Sequence, residues 1–80
     1  MDLPKTLGTN VRRLREGLGA SQGEIAFRAD MNRAYLSDVE RGARNPTVRV
    51  VGRLATALGI EPAKLFQLAP ERPTRRTGWK

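Results

Sequence analysis

An all-α fold of five helices is expected for this chain on three observations. Apolar residues recur at spacings of three and four through successive segments, and no run alternates with the period of two that a half-buried strand needs. Residues suited to helix starts precede those segments (Pro4, Ser21, Asn32, Thr47, and Glu61 with Pro62), and Gly19, Gly42 and Gly59 stand where three of them should stop. At 80 residues with no internal repeat, the chain has material for one small core.

Helix 1 is expected from about Pro4 or Lys5 to Leu18, closing at Gly19, with Leu7, Val11, Leu14 and Leu18 as its inward stripe. Ser21 and Glu24 have the spacing of a capping box, which fixes the start of helix 2 at Gln22. Ile25, Ala26 and Ala29 face the core, and the helix ends near Asp30. Asn32 caps helix 3, the segment 32–41, in which Leu36 and Val39 point inward and Gly42 provides a left-handed stop. Ala43 to Thr47 is a loop, because Pro46 disfavours helix at Asn45. Helix 4 follows from Val48 to Leu58, with Val48, Val51, Leu54, Ala55 and Leu58 on one face, and a short fifth helix carries Leu65, Phe66 and Leu68. The composition changes at Ala69. Residues 1–68 are therefore read as the folded domain and 69–80, with Arg72, Arg75, Arg76 and Lys80, as a flexible basic tail.

Fifteen lysines and arginines, most of them arginine, face eight acids, for a formal charge of +7. A polyanion is the natural partner for such a surface, and the planar arginine fork matches phosphate and guanine edges better than lysine does. The chain has no cysteine and no histidine, so it offers no disulfide, thiolate metal site or neutral-pH base. With no phosphate-binding glycine motif and no clustered carboxylates either, no catalytic constellation is present; no enzyme activity, metal, cofactor or small-molecule ligand is expected. No apolar run approaches the about 18 residues of a membrane span, and the opening MDLPKTLG lacks the apolar centre of a signal peptide, so a cytoplasmic protein is expected.

From about Leu7 to Phe66 the chain resembles the lambda-repressor-like, Cro-type helix-turn-helix family of DNA-binding regulators. The family's helix-turn-helix pattern is met in order by Ser21, Gln22, Ile25, Ala26, Ala29, Met31, Tyr35, Leu36, Ser37, Val39, Glu40 and Gly42. The departure is Asp30, where glycine is usual. The run Arg33, Tyr35, Leu36, Ser37, Val39, Glu40, Arg41, Arg44, Asn45 and Thr47 further resembles the controller proteins of restriction-modification systems.

The resemblance implies a sequence-specific transcriptional regulator with helix 3 in the major groove of double-stranded DNA. Gln22, in the first turn of helix 2, is expected to hold phosphate, with Arg41, Arg44, Asn45 and Thr47 gripping the backbone on the other side of the groove. Between them Arg33, Ala34, Ser37 and Asp38 face the bases, Arg33 being the best specificity residue through the guanine O6 and N7 pair. Asp38 either accepts from cytosine N4 or orients Arg33 or Arg41 by an intrahelical pair. Tyr35 either packs on the core or approaches the DNA. Arg15 and Glu40 stand where family members form a buried ion pair. Family members generally bind palindromes as homodimers, and the candidate dimer patch is Ile60, Leu65, Phe66 and Leu68, which could equally close the core. A protein-interaction adaptor or antitoxin-type component of the same fold is the alternative, with Phe27, Val50 and Trp79 as its surface.

Overall fold

The computed structural model describes residues 2–68 and is all-helical over them, with four α-helices: α1 (Leu3–Gly17), α2 (Gln22–Arg28), α3 (Arg33–Glu40) and α4 (Val48–Leu58). The fifth expected helix is a short 3-10 helix, Pro62–Phe66, instead of an α-helix. Its hydrogen bonding marks the difference. Pro62 brings no backbone donor, the Glu61 side chain makes no capping bond, and Lys64 N–H donates to the Glu61 carbonyl three residues back at 3.0 Å. Ala69 onward, including the tail and Trp79, lies outside the described residues.

The α-helix starts follow from side chains already visible in the sequence. Ser21 accepts from Glu24 N–H while the Glu24 carboxylate takes the Ser21 N–H, a complete capping box. Asn32 accepts from Tyr35 N–H at 2.7 Å, and Thr47 from Val50 N–H at 3.2 Å. Asp2 adds a fourth cap, on Lys5 N–H.

The core draws on every element: Val11 of α1, Ile25 of α2, Leu36 of α3, Leu54 of α4 and Leu65 of the 3-10 helix are fully buried. α1 lies against α3, α4 and the 3-10 helix, while α2 lies against α3 and α4. Two expected core residues are outside it. Leu18 follows the last turn of α1 and is 56% exposed; Val48, the first residue of α4, is 89% exposed because helical side chains lean toward the N-terminus and carry it past the core's edge.

Three residues besides the apolar core side chains fix how the elements sit. At Gly8 the backbones of α1 and α3 meet: a Cβ there would collide with the Val39 carbonyl oxygen and lie 2.8 Å from that of Glu40. Asn10, 1% exposed, donates through Nδ2 to the carbonyls of Leu65 (2.8 Å) and Gln67 (2.6 Å) and accepts from Arg13 at 3.0 Å, pinning the C-terminal segment to α1. Arg53 of α4 donates to the carbonyls of Ala29 (2.8 Å) and Asp30 (2.9 Å), satisfying acceptors at the end of α2. Asp30 itself has φ 58°, the only positive φ of a non-glycine residue among those described.

Candidate nucleic-acid interface

The outer face of α3 forms because its inner face is fully committed. Leu36 and Val39 are buried, so Arg33, Ala34 and Ser37, which lie on the other side of the same helix, reach solvent. Arg33 and Ala34 are exposed and Ser37 is half-buried; with Gln22 from the start of α2 they line one shallow recess. A second recess continues from it, lined by Arg12, Arg15, Gln22, Ser37, Glu40 and Arg41. The helix pair thus presents arginine at both ends of a small polar shelf, the arrangement that a negatively charged, groove-shaped partner fits.

Beneath the shelf lies a hydrogen-bonded network. Glu40 Oε2 accepts from Arg15 Nε at 2.6 Å, and Oε1 accepts from a terminal nitrogen of Arg15 at 3.0 Å, a bidentate pair that ties α1 to the end of α3. The side chains are 3% and 11% exposed, respectively. Arg15 also donates to the Ala20 carbonyl at 2.9 Å. Its hydrogen bond to Glu40 holds the guanidinium above its ordinary value, outweighing the opposing effect of burial. Gln22, expected to hold phosphate, donates its amide to Glu40 Oε1 at 3.0 Å. One carboxylate therefore fixes two other elements relative to α3.

The far end of α3 is organised around Asp38. Its Oδ1 accepts from Arg41, and its Oδ2 from Arg44 Nε at 3.3 Å. The Arg44 guanidinium also lies over the Tyr35 ring, 5.1 Å from the centroid. Arg41, followed by Arg44, holds the Asp38 carboxyl below its usual range. Each Asp38 oxygen thus accepts from one arginine, in keeping with the orienting role. Tyr35 is half-buried against the core, beneath Arg44. Asn45 is exposed, and Thr47 is the α4 cap, its hydroxyl already engaged.

The suggested dimer patch divides. Leu65 is 0% exposed and closes the core, so it offers nothing to a second chain. Ile60 is half-buried, Phe66 is 38% exposed and Leu68 is 68% exposed. Of the alternative adaptor surface, Phe27 is 86% exposed, whereas Val50 packs partly on the core.

Sequence reasoning missed Gly8, Asn10 and Arg53. A signal existed for two of them: Gly8 is a helix-weakening residue inside an otherwise good helix, and Asn10 lies three residues after Leu7, on the apolar stripe. Nothing in the sequence distinguishes Arg53 from the other surface arginines.

Helices α2 and α3, joined by a four-residue turn and braced by α1 and α4, make this a helix-turn-helix protein; the chain belongs to the helix-turn-helix domain family, which matches residues 6–68. Its relatives are transcriptional regulators and restriction-modification controllers. It is 42% identical over 73 residues to the uncharacterized HTH-type transcriptional regulator y4dJ of Sinorhizobium fredii, covering 91% of this chain and 95% of that one. Control protein C.BamHI of Bacillus amyloliquefaciens is 39% identical over 60 residues, 74% of each chain. The crystal structure of the restriction-modification controller protein C.AhdI from Aeromonas hydrophila matches with a TM-score of 0.77 at 43% identity, over 79% of this chain and 96% of that one. No helix among the described residues is long and apolar enough to cross a membrane.

Proposed function

We propose that this protein is a cytoplasmic, sequence-specific transcriptional regulator that binds a palindromic operator as a homodimer, in the manner of a restriction-modification controller. The observation that carries the reading is the shelf of Gln22, Arg33, Ala34 and Ser37, held rigidly from below by Glu40 and flanked by Arg41 and Arg44. α3 enters the major groove, which accommodates a helix of this size. Arg33 reads a guanine edge with its fork, and Ala34, Ser37 and the rim of Tyr35 contact neighbouring base edges. Gln22 and its helix N-terminus meet phosphate on one side of the groove; Arg41, Arg44 and Asn45 meet it on the other, with Thr47 placing the last of these by capping α4.

One α3 spans too few base pairs to specify a gene. Two copies on half-sites about 34–36 Å apart supply the rest, and the exposed parts of Ile60, Phe66 and Leu68 are the surface through which they pair. Enrichment of binding sites from random duplex DNA, with hydroxyl-radical footprinting of the winner, tests this reading. It predicts an inverted repeat protected on one face with one helical turn between half-site centres; a chain that enriches no sequence, or a single unrepeated half-site, would contradict it.

A further inference from the structure

The contacts of Asp38 carry an inference about how the protein avoids the wrong DNA; it rests on the DNA-binding reading above. We propose that Asp38 is an intramolecular competitor of the DNA backbone, holding Arg41 and Arg44 on its own carboxylate whenever the protein is away from its site. Arg41 approaches one carboxylate oxygen and Arg44 the other, so a single carboxylate is shared by both cations at the far end of the recognition helix. The backbone enforces the arrangement. Gly42, at φ 75°, turns the chain back, and Ala43 N–H donates to the Asp38 carbonyl at 2.9 Å, which brings Arg44 alongside α3. The Arg44 guanidinium also lies over the Tyr35 ring, 5.1 Å from its centroid. Arg44 is thereby held at two places.

Such a latch discriminates because non-specific binding consists almost entirely of phosphate contacts, whereas a cognate site adds base contacts. On random DNA the two arginines must exchange one anion for another and little is gained. On the operator, Arg33 and its neighbours draw α3 into the groove and bring phosphates within reach of both arginines at once. The ion pairs are partly exposed, with Arg41 and Arg44 side chains 68% and 51% accessible, so they remain exchangeable. Asp38 therefore acts on specificity without touching a base.

The test compares the full chain, Asp38→Asn and Glu61→Gln, the last removing the same charge from an exposed residue that makes no capping bond. Circular dichroism confirms that each is folded, and affinity for random duplex and for the enriched site is measured against salt concentration. Asp38→Asn is expected to tighten random-sequence binding several-fold more than Glu61→Gln does. It should also steepen the slope of log affinity against log salt by about 0.9 for each arginine freed. The excess should vanish when Arg41→Gln and Arg44→Gln are already in place. Equal effects of Asp38→Asn and Glu61→Gln would overturn the latch. So would a changed base preference with an unchanged random-sequence slope, which would make Asp38 a reader. A wild-type chain that binds no duplex at all would overturn the DNA-binding reading itself, and the latch with it.

Discussion

Removing the Glu40 carboxylate leaves Arg15 buried without its counter-charge and Gln22 without its acceptor. Breaking a buried pair from one side costs about 3–5 kcal/mol. Glu40→Ala is accordingly expected to lower the urea unfolding free energy by that amount, before any effect on DNA contact; an unchanged midpoint would show the pair to be unimportant. Asn10→Ala uncovers the carbonyls of Leu65 and Gln67 and should cost about 1–3 kcal/mol in the same measurement. The residue scale is where the sequence was least legible. The pairing of Arg15 with Glu40 was readable through the family resemblance. The partners of Asn10 lie 55 and 57 residues away, a separation that no local pattern records.

The helix starts at Ser21, Asn32 and Thr47 were legible because an N-cap satisfies backbone donors only three residues away. The last element, expected as a fifth short helix, is five residues of 3-10 helix, and Leu65 alone is what the core requires of it. At the turn between α2 and α3, Asp30 adopts a conformation that favours glycine, and Arg53 secures the adjoining carbonyls. Asp30→Gly should therefore raise stability, by up to about 1 kcal/mol, since the strain relieved exceeds the added freedom of the unfolded chain. The glycines of α1 provide a contrast of opposite signs. Gly17→Ala meets nothing within 4 Å and should stabilise by up to about 1 kcal/mol through helix propensity. Gly8→Ala drives a methyl into the backbone of α3 and should destabilise by about 1–3 kcal/mol despite the same propensity gain. Thermal melts of the two variants check both signs.

For the whole molecule, the arginine excess and the absence of histidine place the pH dependence of folding on the acid side. Glu24 is held below its ordinary value of 4.5, first by the Ser21 backbone N–H, so its contribution is fully present above 4.5 and disappears as pH falls through the lower folded value. Melting temperatures of the wild type and Glu24→Gln, which keeps a neutral capping box, should differ above pH 4.5 and converge only as pH falls through the lower folded value; a constant gap would remove the capping carboxylate from the account. The same positive charge made a polyanionic partner legible from composition, but composition could not say which arginines remain available to it. Arg15 and Arg53 are engaged with the protein itself, Arg41 and Arg44 are shared with Asp38, and no hydrogen bond or ion pair engages the exposed Arg33 side chain among the described residues. With its place on the outer face of α3, that availability supports the proposal that Arg33 is the reader, and enrichment of sites from random DNA with the wild type and with Arg33→Ala tests it directly. The wild type should yield an inverted repeat with a fixed guanine in each half-site, and Arg33→Ala the same repeat with that guanine preference alone relaxed, at a cost of about 1–3 kcal/mol per half-site. An identical logo from both proteins would contradict the account.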